Sequence, residues 1–579
     1  MQSDRGLKIK TINTPWRPVL MTVFLLFISI GAFAQGINQI GFRPESVKRA
    51  FFDGKWEGHR FHIVNAQGAT VYSGELSDSQ HWPYSGTNVC YAPFSGLTES
   101  GAYELLVEDQ SLVLAFEIGT DSYSKLGKAL VKSFYQARAS VAITETHGGI
   151  YARPAGHPDT AILIHASAAS KQRPEGSVIS SPGGWYDAGD YNKYIVNSGI
   201  TTYSLLHLVE LFGDYLQTMD LNIPETGNGV PDVLNETVYN LRWMLTMQDP
   251  YDGGVYHKLT SRRFCGMKMP HDDSLERYVV MKSTAATLDF AATMAKAARV
   301  LKSYSTPYPG LADSCLIAAQ TAWQWSEQHP DILYTQPKDI STGEYKDDEI
   351  ADEWFWAASE LYLSTGYKTY SQKMDLAGAK FSLPQWGRVN TLGLYSLVTD
   401  KAQLEKKGNG KLASKKLIHL ADEFLKNYEQ SAYRISIEKF PWGSNSELAN
   451  QGVVLMHAYL ITKDKKYLEA ADACVGYLLG ANPLQLSFVT GFGKHTPLHI
   501  HERRSVADGI EAPVPGLLVG GPTKQARQDC GEDQYPSDFP ALSYVDLECS
   551  YATNEIAINW NAAAAFLVLG LDAIYSTSN

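Results

Sequence analysis

The stretch GGWYDAGDYNKY, Gly183 to Tyr194, sets two aspartates, Asp187 and Asp190, three residues apart among glycines and aromatics. Pro182 and the Gly183–Gly184 pair break any helix before them, so both acids fall on a loop or turn. Two carboxylates at that spacing can hold one water or one metal ion between them. Close like charges raise one pKa of the pair. One carboxyl group can then carry a proton while its neighbour orients or deprotonates the water. On spacing alone, Asp-Ala-Gly-Asp is also good turn chemistry.

Two further stretches carry reactive groups. In SYATNEIAINWNAA, Glu555 follows Asn554 at the apparent start of the last long helix. A helix dipole there favours an acidic group by about 0.3–1 kcal/mol. Beside Tyr551 and Trp560, the same carboxyl would have its pKa raised and stay protonated near neutral pH. In SFVTGFGKHTPLHIHERRS, His499, His501, Arg503 and Arg504 crowd a glycine-containing loop. Histidines flanked by arginines make a poor zinc set; a cationic lining for polar ligand groups is the better reading.

Such residues need a frame, and the chain divides into two kinds of pattern. Residues 36 to about 120 read as short strands. RFHIVNAQGATVYSGEL turns at Asn65–Gly68 and AYELLVEDQSLVLAFEIG at Glu108–Ser111, which predicts two hairpins of a small sandwich. After Ser122, apolar residues recur at helical spacing in GITTYSLLHLVELFGDYL, STAATLDFAATMAKAARVLKSY, DEWFWAASELYLSTG and others, enough for roughly ten to twelve helices. Long Gly/Pro-rich loops at 176–198 and 482–553 carry the reactive stretches, and loops of that length are usually functional or disordered.

At the N-terminus, Arg5, Lys8, Lys10 and Arg17 precede VLMTVFLLFISIGAFA, and Ala32-Phe33-Ala34 offers a cleavage site. The pattern predicts a signal peptide over 1–34. The run falls short of the roughly 20 residues of a spanning helix, so the expectation is an exported protein, periplasmic or secreted, with no membrane span once the signal is removed. A net charge of −12 argues against nucleic acid. The 33 tyrosines and 12 tryptophans suit ring stacking on a flat apolar face as well as a large core. Six cysteines contain no CxxC pair; Cys530 and Cys549 are the nearest neighbours, with connectivity left open.

In sequence order, the motifs resemble the family 9 glycoside hydrolases, mostly cellulases. GGWYDAGDYNKY looks like that family's water-binding aspartate motif, and NPLQLSFVTGFG followed by HIHERRS is similar to its histidine–arginine loop. PWGSNSELANQGVVL and PGLLVGGP resemble further segments. YVDLECSYATNEIAINWNA looks like its terminal acid motif, with Asp546, Tyr551, Glu555 and Asn561 in place. The resemblance implies a multidomain protein: an all-β immunoglobulin-like sandwich over 36–120, carried by INQIGFRP and LTESGAYELLV, then an all-α six-hairpin (α/α) barrel over 121–579.

It also implies roles. Asp190 is the general base, Asp187 helps hold the nucleophilic water, and Glu555 is the general acid. His501 and Arg503 contact the sugar, with Tyr551 beside them; Trp185 and Trp442 are candidates for stacking on pyranose faces. The implied reaction is inverting hydrolysis of β-1,4-glucosidic bonds in a glucan such as cellulose or xyloglucan. Exo-action on oligosaccharides and non-catalytic glycan binding are the alternatives. No cofactor is required for the chemistry. DDEIADEWFWAA resembles a calcium-binding stretch of some members, with Asp352 and Glu353 at the matching positions. Some members bind zinc through two Cys and two His; here Ala139 and Gly156 stand where the Cys would be, so His157 alone argues against zinc. Where the family has Pro-His-His-Arg, this chain has Ile500-His501-Glu502-Arg503, and the charge on Glu502 is expected to alter which sugar is accepted.

Overall fold

The computed structural model describes residues 36–108, 112–400 and 409–577. The expected signal peptide, 1–34, lies outside the described residues.

The first unit of structure is a two-sheet sandwich. Strands β1 (Arg49–Asp53), β2 (Arg60–Asn65), β3 (Thr70–Glu75), β4 (Gln80–Trp82), β5 (Thr87–Pro93), β6 (Gly101–Val107) and β7 (Val113–Ile118) form sheets of order β1-β5-β4 and β3-β2-β6-β7. Both expected hairpins form: β2 pairs antiparallel with β3, with a register shift between Ile63 and Val64, and β6 pairs with β7. Alternate residues point inward, and Phe52, Phe61, Ile63, Phe94, Leu105 and Phe116 fill the space between the sheets.

The rest of the chain holds eleven helices of ten residues or more among the described residues. They pack in a closed ring. Ile195–Leu216 lies on Thr284–Leu301, which lies on Ala351–Thr365, then Asn390–Thr399, Asn409–Gln430, Ser444–Thr462 and Ile558–Ser576. Ile558–Ser576 returns to Ile195–Leu216 and shuts the barrel. Helices such as Thr284–Leu301 and Ile558–Ser576 are apolar around most of their circumference and buried along nearly their whole length. Ile558–Ser576 is long and apolar enough to cross a membrane, but 94% of it is buried inside the fold, so it is a core helix.

Sandwich and barrel share an interior. Phe51 and Trp82 of the sandwich pack on Tyr433, with ring centroids 5.1 and 4.7 Å apart. Arg43, 1% exposed, reaches between barrel helices: Nε donates to Asp572 Oδ1 at 2.9 Å, Nη1 to Asp472 Oδ1 at 3.3 Å, and the guanidinium lies 3.6 Å over the Tyr123 ring.

Candidate active site

The aspartate loop is bent by Gly183 and Gly184, whose φ values of 84° and 78° favour glycine. Asp187 follows, 1% exposed. Its Oδ1 accepts from Asn197 Nδ2 at 2.8 Å and its Oδ2 from the Tyr345 hydroxyl at 2.6 Å. Burial, and then the charge of Asp190, push the Asp187 carboxyl up to about 8. Asp190 Oδ2 accepts from the Asn192 side chain and N–H and, at 3.2 Å, from the Tyr194 hydroxyl. Its Oδ1 makes no such bond among the described residues and is left for a reactant.

Glu555 stands across this loop. The long helix starts at Ile558, not at Glu555 as its sequence position implies; Glu555 is extended (φ −74°, ψ 159°) and follows a short helix, Tyr551–Asn554. Its segment is held as a strand would be. Ala188 bridges Ala557, Val519 of the PGLLVGGP segment bridges Ile556, and His501 bridges Glu555 itself. Gly520 N–H donates to the Glu555 carbonyl at 2.8 Å, and Ile558 N–H to the Asp187 carbonyl at 2.9 Å. Acid and aspartates therefore share one backbone lattice. Burial, then Asp190, push the Glu555 carboxyl up to about 8, against the Gly189 N–H and Arg503, which lower it. The apolar setting read from the sequence is present, but the barrel supplies it rather than a helix terminus.

The long 482–553 loop supports this lattice. A disulfide joins Cys530 to Cys549. Asp546 accepts the N–H groups of Leu498 and His499 and the side chain of Asn554. His501 Nδ1 donates to the Glu548 carbonyl at 2.6 Å, leaving Nε2 as the acceptor, and burial lowers its pKa. Asn561 donates to the carbonyls of Leu130 and Gly516 and accepts from Leu518 N–H, a purely structural use of that motif residue.

The cleft has a volume of about 460 Å³. Asp187, Asp190 and Glu555 line it, and Phe264, Trp386, Trp442 and Trp560 are among its aromatic walls. Trp442 is 41% exposed, with its ring 5.4 Å from that of Tyr551. His501 bridges Glu555, and its ring lies 6.0 Å from that of Tyr551, edge-on. Arg503 is 6% exposed and gives Nη1 to the Gly189 carbonyl and Nε to that of Cys265, so it braces the aspartate loop, with its guanidinium 5.2 Å from the centre of the Phe264 ring.

Two expectations are corrected. Trp185 is fully buried against Phe134, with its indole N–H donating to Glu236 at 2.7 Å; it is a core residue that no sugar reaches. Glu502 does not face the cleft. It is 1% exposed, ion-pairs with Arg504 and caps the helix Arg503–Ala507 through the Ser505 N–H. Burial alone would raise its carboxyl, but Arg504 outweighs that and holds it below the ordinary range.

Tyr345, Trp386, Gln385 and Glu447 were not found in the sequence. Tyr345 has a faint signal, sitting just ahead of the DDEIADEW acidic run; Glu447 lies within PWGSNSELANQGVVL, a segment singled out by resemblance without its glutamate being picked; Gln385 and Trp386 lie on a segment with no unusual spacing.

The metal readings divide. Both nitrogens of His157 are engaged, by the Tyr186 hydroxyl and Asp273. A Cβ at Gly156 would lie 2.4 Å from Pro270 Cβ, so a thiol there has no room. These residues do not fit zinc. No three His, Cys, Asp or Glu side chains among the described residues form a ready metal cage. Nevertheless both carboxyl oxygens of Asp289 and of Glu353, and Oδ2 of Asp347, are buried without a hydrogen-bond partner. Burial, then mutual repulsion, push Asp289 and Glu353 well above the ordinary carboxyl range. Orphaned buried carboxylates are the oxygen-rich chemistry that suits a hard cation such as calcium.

A barrel of paired helices whose cleft gathers carboxyl groups from facing segments between aromatic walls defines a glycoside hydrolase. The chain belongs to glycosyl hydrolase family 9: the family model matches residues 123–568, and a cellulase N-terminal Ig-like domain matches 36–111. It is an enzyme of the inverting endo-β-1,4-glucanase type. Among its relatives, a xyloglucan-specific endo-β-1,4-glucanase from Bacteroides ovatus is 43% identical, covering 93% of each chain. Endoglucanase D from Acetivibrio thermocellus is 33% identical over 94% of this chain and 81% of that one. A solved family 9 structure from Bacteroides ovatus superposes with a TM-score of 0.87 at 42% identity, covering 93% of this chain and 99% of that one. A thermostable endoglucanase from Alicyclobacillus acidocaldarius gives 0.85 at 29% identity, with the same coverage.

Proposed function

We propose that the chain cuts the β-1,4-glucan backbone of xyloglucan at internal bonds, with Glu555 as general acid, Asp190 as general base and Asp187 as the group that orients the water. The observation that carries the roles is the shared lattice of the two acidic segments, with the Glu555 carboxyl raised to about 8 in the cleft that Asp187 and Asp190 line. Glu555 then holds its proton near neutral pH and delivers it to the leaving oxygen. Asp190 Oδ1 takes the proton of a water attacking the opposite face of the sugar, and charge builds on the anomeric carbon in an oxocarbenium-like transition state. Tyr345 and Asn197 fix Asp187 while this happens. The choice of xyloglucan is supported by the 43% identical relative of that specificity.

The test is a product-length profile on xyloglucan and cello-oligosaccharides, with proton NMR of the first anomer released. Internal cleavage of xyloglucan to the inverted anomer is expected; retention, or release of single units from one end, sinks the reading.

We also propose that Asp289, Asp347, Asp352 and Glu353 hold a calcium ion, which would neutralise their repulsion and steady the segment two residues past Tyr345. Export of the protein is proposed as well, supported by the basic and apolar N-terminal sequence and by a disulfide of the kind that persists in oxidising compartments.

A further inference from the structure

The cleft holds a carboxyl group that the reaction does not use. Glu447 lies in the first turn of helix Ser444–Thr462 and lines the cleft with its side chain only 15% exposed. Gln385 Nε2 donates to its Oε1, and Arg388 Nη2 stands 3.6 Å from the same oxygen. Both partners thus hold one oxygen, and Oε2 has no hydrogen-bond partner among the described residues.

This contact joins two walls. Gln385 precedes Trp386, whose ring packs edge-on against Tyr345, the residue that holds Asp187. Glu447 follows Trp442 and Gly443 on the wall that also carries Trp560, which packs so close to Gly443 that a Cβ there would lie 2.9 Å from the indole. A β-glucan offers two surfaces: apolar C–H faces, which suit indole rings, and hydroxyl edges, which need fixed acceptors. Tryptophans on both walls serve the faces. A clamped carboxylate where the walls meet serves the edge. Burial pushes the Glu447 carboxyl up, with Arg388 and Gln385 opposing, so sugar hydroxyls would also relieve a desolvated group.

We propose that Glu447 is a substrate-binding residue, whose Oε2 accepts hydrogen bonds from the hydroxyl edge of a pyranose held between Trp386 and Trp442. The proposal rests on the action of the chain on β-1,4-glucan.

Steady-state kinetics of Glu447→Gln and Glu447→Ala on xyloglucan and cellohexaose test it, with calorimetric binding of cellohexaose to the same variants in a Glu555→Gln background. KM and Kd are expected to rise about tenfold in Glu447→Ala, far outstripping any fall in kcat, as loss of uniform binding requires. Glu447→Gln should fall between, because it keeps an acceptor oxygen, and it carries the test if the alanine variant is unstable. Unchanged KM and Kd overturn the proposal. So does a loss confined to kcat, which would place Glu447 in the chemistry. Wild-type protein inactive on every β-glucan overturns instead the functional reading beneath it.

Discussion

The backbone N–H of Gly189, the residue just before Asp190, donates to Glu555 Oε1 at 3.4 Å, and a Cβ at that position would lie 2.3 Å from the His501 carbonyl. One residue thus sets the distance between the water-holding loop and the acid, and only glycine allows the approach. Gly189→Ala is predicted to lower kcat/KM about 100-fold or more, since displacements near 1 Å have effects of that size. A variant with normal kinetics and an unchanged Tm would show that the lattice is not what aligns the groups.

Replacing the acid should separate chemistry from folding. Glu555→Gln is expected to cut turnover on a polymer about 1,000-fold, within the range of a positioned acid, while circular dichroism stays that of the wild type. Wild-type rates in this variant would refute the assignment.

The raised carboxyls also fix the sign of two pH effects. With Glu555 titrating at about 8, kcat/KM should decline as pH rises through about 8, as the acid loses its proton. Stability moves in the same direction. Asp187 and Glu555 have ordinary values of 3.8 and 4.5, so between those and about 8 the folded state binds more protons than the unfolded. Their contribution is full below the ordinary values and is lost as pH climbs through the window. Thermal scans at pH 5 and pH 8 should show a smaller drop for Glu555→Gln than for the wild type; an equal drop contradicts the shift.

Tyr345 acts through Asp187, so its hydroxyl is a positioning group. Tyr345→Phe should lower kcat roughly tenfold, in line with a hydrogen bond to a charged or buried group, and displace the pH profile relative to the wild type. A fall in Tm with unaltered kcat and pH profile would reduce Tyr345 to packing.

Arg43 fastens the sandwich to the barrel through Asp472 and Asp572. Removing one side of a buried ion network leaves charges uncompensated, so Arg43→Ala should lose about 3–5 kcal/mol in urea unfolding. A loss under 1 kcal/mol would mean that the apolar contacts of Phe51 and Trp82 hold the interface without it.

For the orphaned acids, dialysis against a chelator should lower Tm, and added calcium should restore it. Asp289→Asn with Glu353→Gln should abolish that response. Calcium-insensitive melting of the wild type removes the proposal.

Much of this protein was legible from residue order. The turn residues at Asn65–Gly68 announced a hairpin, and helical spacing announced the helices, because both depend on local periodicity; the barrel they close into was implied only by the family resemblance. Asp187, Asp190 and Glu555 stood out because carboxyls beside tryptophan, tyrosine and glycine are unusual in an ordinary loop. Trp185 misled for the same reason: its neighbours look like a site, yet its ring turns inward to Phe134 and Glu236. Glu502 misled because the chain does not reveal that Arg504, two residues on, neutralises it.

The sequence by itself therefore determined which chemical groups exist and the periodic elements that carry them. Only the tertiary structure decided that Glu555 would face Asp190 across 364 intervening positions, that Tyr345 would reach Asp187, and that Glu447 would meet Gln385 at the junction of two walls. The reason is physical. Periodicity is written into neighbouring residues, whereas burial, proton affinity and the closing of a cleft arise when distant segments exclude water together.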